Sequence, residues 1–186
     1  GHASSESGDG ENAILKIMDF LNKVRAITFD DHHHALLGKA SLAINTIEGG
    51  SAVNLTPDIA RAMIDIRTVP GMTTDLVLNK LNRIAGSGVI LSVDDDKPPI
   101  ITNIDDPFIT LCQKAIVVIR GCSKEPGGVS YYSDSCILAP ALGVPRAIIG
   151  PGLIGMSGRR DEWVELADVY DAASIFAEVA AAYLQE

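Results

Sequence analysis

The apolar residues in the first half of the chain repeat first with a helical period and then with a strand period. Residues 11–24 carry apolar side chains three or four positions apart, after a Gly and Asp run at 8–10 that can start a helix. Residues 41–49 and 59–67 are rich in β-branched residues and run into Gly-Gly and Pro-Gly turns. This pattern predicts one helix followed by two strands.

A second helix and a third strand are predicted next. Thr73 or Thr74 can cap a helix that Gly86 ends, and residues 89–93 alternate Val, Leu and Val with other residues. If a further strand preceded the first helix, the order would be βαββαβ, a ferredoxin-like layer of four antiparallel strands with two helices on one face. The chain is expected to begin where that strand would end.

The sequence pattern of the second half is typical of a parallel α/β sheet. Helices are predicted over residues 107–120, 133–142 and 166–184, and the continuous apolar run at 144–149 predicts a buried strand. One strand and three helices cannot close a parallel sheet, because such strands need neighbours and covered faces. We therefore expect this half to be incomplete.

Charge and composition exclude several classes of function. The 186 residues are 47% apolar and carry a formal charge of −9 without a local basic patch, which argues against nucleic-acid and anionic-membrane partners. The longest apolar runs are too short to span a bilayer. The three cysteines are odd in number and lack Cys-x-x-Cys spacing, so we expect a reducing, cytoplasmic location.

Four motifs in fixed order resemble those of the dinuclear zinc aminoacylases and peptidases, a family that includes acetylornithine deacetylase, succinyl-diaminopimelate desuccinylase and carboxypeptidase G. The first is Gly-His-Ala-Ser from residue 1 with Gly-Glu-Asn-Ala-Ile from residue 10, and the second is Ile-Glu-Gly-Gly from residue 47 with Asn-Leu-Thr-Pro-Asp from residue 54. The third is Asp-Ile-Arg-Thr-Val-Pro-Gly from residue 65, and the fourth is Gly-Pro-Gly from residue 150 with Asp-Glu-Trp-Val from residue 161. The resemblance covers nearly the whole chain but only the C-terminal half of a family member.

The resemblance implies roles for four residues. In this family a lid domain forms a dimer and lends a His and an Asn to the neighbouring subunit, where they hydrogen-bond the oxyanion; these roles fall on His2 and Asn54. Such donors stabilise charge that develops in the transition state. Arg67 would clamp a substrate carboxylate, and the turn at Gly152 would line the active-site cleft. The explanations without a catalytic role are a cloning scar at His2, a turn at Asn54 and a surface ion pair at Arg67.

The resemblance also shows what this chain lacks. Family members hold two zinc, cobalt or manganese ions, with most ligands in the half that is absent here, and the last ligand is a His at the position of Gly158. Glycine has no side-chain ligand, so no metal is expected on this chain alone. Three explanations for this glycine stay open: a neighbouring residue replaces the imidazole as a ligand, the subgroup has lost that metal position, or this member is not a hydrolase. For Arg159 and Arg160, which follow Gly158, the alternatives are attraction of an anionic substrate group and ordinary solvation at the surface.

Other candidates for chemistry are weaker. The run from Asp30 to His34 is the one His cluster of the chain, and adjacent histidines in a connection are usually solvated, so a loop is predicted. Ser130–Asp134 has no later His for a serine triad, and Asp134 is interpreted as a helix cap or as an Asp that the family carries there.

Together these observations predict a lid or dimerisation domain over residues 1–103 and the last part of an α/β zinc-peptidase catalytic domain over 104–186. The predicted function is that of a C-terminal fragment of a metal-dependent amidohydrolase acting on N-acyl amino acids or small peptides, inactive alone and dimeric through the lid. The alternative is a non-catalytic dimerisation or binding module derived from that family.

Overall fold

The computed structural model describes residues 11–185. The chain divides into two compact units: the first contains the described residues up to Pro99 with Val129–Tyr131, and the second contains Ile100–Gly128 and the described residues from Tyr132 onward. The assignment of residues 1–103 to a lid and of 104–186 to a catalytic domain stays a prediction.

The first unit begins with helix α1, Ala13–Val24. The Asn12 side chain accepts hydrogen bonds from the backbone N–H groups of Ile14 and Leu15, at 3.0 and 3.3 Å, and so satisfies two of the amides that a helix start leaves open. The predicted first helix is confirmed, while the Gly and Asp run at 8–10 lies outside the described residues. The buried face of α1 carries Phe20, Leu21 and Val24.

A short hairpin follows where the sequence predicted a loop. Strand β1, His33–His34, pairs antiparallel with β2, Gly38–Lys39. The positive φ of Gly38, +73°, is a conformation that glycine adopts at little cost and that lets the chain turn back. The prediction of a loop for this His cluster is therefore corrected for its last two residues.

The two long strands of the unit form an antiparallel pair. Strand β3, Ser41–Gly49, pairs with β4, Ala60–Arg67, with a register shift between Ile44 and Thr46. At Gly49 an added Cβ would lie 2.9 Å from the Ala60 Cβ and 3.0 Å from the Ile14 side chain, so the missing side chain lets β3, β4 and α1 approach closely. Both predicted strands are confirmed.

Helix α2, Thr74–Asn82, completes the first unit. The Thr73 hydroxyl oxygen accepts the Leu76 N–H at 3.2 Å, which confirms the predicted cap. The two helices and the segments beside them bury one apolar cluster, against which the inward side chains of β3 and β4 pack; its members are Phe20, Leu21, Val24, Phe29, Val69, Met72, Val77 and Leu81.

The predicted strand at residues 89–93 is not formed. Val89 and Leu91 pack against the apolar cluster, while Ile90 is exposed, so the side chains alternate as in a strand but without a ladder of hydrogen bonds. In a βαββαβ layer the last strand lies beside the first, and a strand before α1 is not among the described residues. The mixture of helices and strands agrees with the predicted α/β class.

The second unit consists of three helices joined by irregular segments: α3, Pro107–Arg120, α4, Ser135–Leu142, and α5, Leu166–Tyr183. All three predicted helices are confirmed. The guanidinium of Arg120 donates to Asp168 Oδ1 at 2.7 Å, and the rings of Phe108 and Tyr183 meet edge to face with centroids 5.7 Å apart, so α3 and α5 are joined near both ends.

The predicted buried strand at residues 144–149 is wrong. This segment has no strand hydrogen bonds, and Val144 and Ile148 are exposed. A parallel strand forms only between neighbours and under helices on both faces, and the second unit contains no other strand within its described residues. The apolar composition of residues 144–149 was therefore not enough to predict their conformation, because a strand needs neighbours that the described residues of this unit do not supply.

Candidate functional site

Asn54, a predicted oxyanion donor, lies in the turn that joins β3 to β4. The turn is closed by the Leu55 N–H, which donates to the Ala52 carbonyl at 3.2 Å, and Asn54 itself is exposed. Beside it the ends of the two strands line an open cleft of about 550 Å³ that includes Glu48, Asp58 and Arg61. The carboxamide of Asn54 is thus presented to solvent, next to a cleft with both signs of charge.

Arg67, the predicted carboxylate clamp, is the last residue of β4. Its guanidinium donates to Asp65 Oδ2 at 2.6 Å, and both side chains are partly exposed. Ala60 and Arg67 are the two ends of the eight-residue strand β4, so they are seven steps apart, which corresponds to about 24 Å at roughly 3.4 Å per residue. Arg67 and Asn54 therefore lie at opposite ends of the hairpin, and the structure does not bring them together within one chain.

The sequence reasoning missed Asp65 as the partner of Arg67. The signal was present, because side chains two positions apart in a strand point to the same face. The local ion pair gives Arg67 a structural contact that a substrate carboxylate would have to share or displace.

The other two predicted site residues lie elsewhere. His2 is outside the described residues. Gly152 belongs to the second unit and has φ +93°, and a Cβ there would lie 3.4 Å from Val164 Cγ2. This position favours glycine because other residues rarely adopt that φ, so Gly152 shapes the turn and offers only backbone groups to a ligand.

Gly158, where the resemblance implies a His ligand, also has a left-handed backbone, with φ +77°. Its N–H donates to Glu162 Oε2 at 2.8 Å. Between residues 11 and 185 no group of three or more His, Cys, Asp or Glu side chains is placed to hold a metal ion. The described residues of this chain therefore do not fit a two-metal centre.

Among the described residues, contacts or burial shift the pKa of Asp30, Cys112 and Arg120. The hydrogen bond from Lys39, helped by one from Thr28, lowers the pKa of Asp30. Burial raises the pKa of the Cys112 thiol, and the hydrogen bond and charge of Asp168 raise the pKa of Arg120. These shifts follow from contacts within each unit and do not identify a general acid or base.

Among the described residues no helix has both the length and the hydropathy that crossing a bilayer requires.

Comparison with known proteins gives a consistent result. Residues 1–89 match the family model of the M20 peptidase dimerisation domain. Acetylornithine deacetylase from Klebsiella pneumoniae is 27% identical over 96% of this chain and 48% of that protein. Acetylornithine deacetylase from Vibrio campbellii is 24% identical over 88% of this chain and 44% of that protein. The chain thus spans about half the length of these relatives.

A solved structure agrees at the level of the fold. An M20 family metallo-carboxypeptidase from Sulfolobus solfataricus superposes with a TM-score of 0.62 over 94% of this chain and 42% of that one, at 17% identity. The dimerisation-domain match, the deacetylase relatives and this structural likeness all indicate one family. The matches are consistent with the C-terminal half of an M20 family member.

Proposed function

We propose that this chain is the C-terminal part of a metal-dependent M20 amidohydrolase that hydrolyses N-acyl amino acids or small peptides in the cytoplasm. The observation that carries the proposal is the combination of a dimerisation-domain match over residues 1–89 with deacetylase relatives that are about twice as long as this chain. The chain would supply the dimerisation lid and the end of the catalytic domain.

The exposed apolar side chains of the second unit favour contact with another part of a longer protein. Leu142 at the end of α4 is 70% exposed, and Ile154 in the segment after it is 100% exposed. Ile137 and Leu138 on the same helix α4 are also more than half exposed, and several large apolar side chains exposed on one helix favour contact with another part of a protein. We assign this surface to contact with the metal-binding half of the family fold.

The lid side chains would act on the substrate as hydrogen-bond donors. His2 and Asn54 would donate to the oxyanion, and Arg67 would hold a carboxylate with its planar guanidinium. Because Asn54 and Arg67 are a strand length apart, they would serve one substrate only if a second subunit contributed one of them. The proposed assembly is therefore a homodimer through the lid.

Zinc, cobalt or manganese would be held by the other half of the protein, because the described residues here do not provide a ligand set. No step of the reaction is therefore assigned to a metal through this chain.

The test compares this chain with a longer protein that also includes the residues encoded upstream of it. The chain alone should release no acetate from N-acetyl amino acids with added zinc or cobalt, whereas the longer protein should do so and lose activity with a chelator. In the longer protein, Arg67→Ala should lower kcat/KM at least about tenfold, since a hydrogen bond to a charged group contributes about 1.5–3 kcal/mol. Arg83→Ala, at the exposed end of α2 and outside the cleft, is the matched control.

Chelator-sensitive turnover by the chain alone would contradict the fragment proposal, and an inactive longer protein would contradict the reaction. The second outcome would favour another function, a non-catalytic dimerisation or binding module. One observation favours that alternative: Gly158 stands where the family has a ligand. Light scattering at micromolar concentration should give a dimer for either function, and a strict monomer would argue against both.

A further inference from the structure

The segment from Gly150 to Glu162 is built on left-handed glycines. Gly152, Gly155 and Gly158 have φ values of +93°, +80° and +77° and recur at every third position. Turn hydrogen bonds lie between them: the Met156 N–H donates to the Leu153 carbonyl at 3.1 Å, and the Arg159 N–H donates to the Met156 carbonyl at 3.3 Å. Repeated turns of this kind depend on glycine, because other residues rarely adopt such φ values.

The same segment is closed by one side chain. Glu162 accepts the Gly158 N–H on Oε2 at 2.8 Å, and a carboxylate accepting an amide is a charge-assisted hydrogen bond. An added Cβ at Gly158 would meet nothing within 4 Å. The need for glycine at this position therefore comes from the backbone conformation and not from a crowded neighbour.

The segment is poor in metal ligands. No His or Cys occurs between residues 137 and 186, although imidazole and thiolate are the usual ligands of zinc in proteins. The nearest candidates for a replacement ligand are Asp161, Glu162 and Glu165, and Glu162 is engaged by the Gly158 amide. Within the described residues none of them joins a group of three potential ligands.

We propose that residues 150–162 form a glycine-turned structural loop, closed by Glu162 on the Gly158 amide, that provides no metal ligand. Of the three explanations for the missing imidazole, this excludes replacement by a neighbouring side chain. The inference rests on the likeness to M20 proteins and not on the proposed reaction, so an inactive longer protein would leave it standing.

Hydrogen–deuterium exchange on the full 186-residue chain tests the loop. In peptides covering residues 153–164, Gly158→Ala should increase local opening roughly 5- to 30-fold, the equivalent of the cost of a left-handed backbone for other residues. Gly158→Asn should have a smaller effect, since Asn tolerates this conformation. Glu162→Ala should also increase opening, whereas Glu162→Gln, which keeps an acceptor oxygen, should restore much of the protection.

Gly127→Ala is the matched control, because Gly127 has no positive φ and nothing within 4 Å of an added Cβ; it should leave exchange at residues 153–164 unchanged. Exchange in Gly158→Ala and Glu162→Ala equal to that of the unchanged chain would overturn the proposed loop closure.

Zinc chloride is the probe for ligands. In the longer protein, which would carry the remaining ligands, exchange at residues 153–164 should be the same with and without micromolar zinc. Zinc-dependent protection that disappears in Glu162→Ala or Asp161→Asn would show that a carboxylate has replaced the imidazole and would overturn the proposal.

Discussion

At the scale of the residue, two ion pairs of the first unit join partners close in sequence. Arg67 bonds Asp65 two positions away, and Asp30 pairs with Lys39 across the short hairpin connection. The first pair follows from the period of a strand and could have been derived from the sequence. The second depends on how the chain turns between β1 and β2, which residue types alone did not indicate.

The Asp30 carboxyl gives a prediction for pH. Its pKa is lowered from the ordinary value of 3.8, first by the hydrogen bond from Lys39. A group whose pKa is lower in the folded state contributes stability above its unfolded pKa and loses that contribution as pH falls through the folded value. Carbon-detected NMR titration should therefore give a midpoint below 3.8 for Asp30.

Replacing Lys39 with Met removes the first cause of this shift, and the midpoint of Asp30 should then rise toward 3.8. An unchanged midpoint in Lys39→Met would show that Thr28 and the more distant Lys80 are sufficient to lower it.

At the scale of the element, helices were predictable and isolated strands were not. Thr73 was recognised as a cap from its position before an apolar helical pattern, and its hydroxyl bonds the backbone as expected. Helices satisfy their hydrogen bonds within one segment. The apolar runs at 89–93 and 144–149 have strand-like composition, but strand hydrogen bonds come from distant neighbours. Neither run has a paired neighbour among the described residues, so local preference alone did not determine its conformation.

Helix α1 allows a matched test of burial. Val24 is 0% exposed and belongs to the apolar cluster, whereas Leu15 on the same helix is 62% exposed. Val24→Ala should lower the free energy of unfolding by about 2 kcal/mol, from lost apolar burial and the cavity left behind. Leu15→Ala should change it by less than about 0.5 kcal/mol.

Urea denaturation followed by circular dichroism measures both variants. Equal losses would mean that Leu15 is covered in solution, and the obvious cover is a second copy of the chain; repeating the measurement at several protein concentrations identifies that case.

At the scale of the whole molecule, the two units differ in the size of the apolar side chains that they bury. The first buries large side chains such as Phe20, Phe29 and Met72 in one cluster. The second buries mainly small ones: besides Ile109 and Ile175, its buried apolar residues in the described part of the chain are Cys112, Ala115, Cys136, Ala139 and Ala172. Small buried side chains contribute less apolar area and therefore less stability.

Separate expression should reveal this difference. Residues 1–99 should unfold cooperatively with heat, whereas residues 100–186 should be helical but melt broadly and bind ANS, as loosely packed states do. A sharp thermal transition for residues 100–186 would show that the second unit needs no complement, and it would weaken the fragment proposal.

The resemblance to M20 proteins could be inferred from ordered motifs, but the arrangement of the site could not. Asn54 and Arg67 are thirteen residues apart in sequence, and the hairpin places them at opposite ends because β4 lies between them. A motif records which residues occur together, whereas their separation depends on strand length and on which subunits meet.

The left-handed backbone at Gly158 also affects how this position can change over generations. A glycine codon does not reach a histidine codon by a single base change, and the intermediate residue would have to occupy a conformation that suits glycine. Placing a histidine here would therefore require the loop to change its backbone conformation as well as the codon to change at two bases.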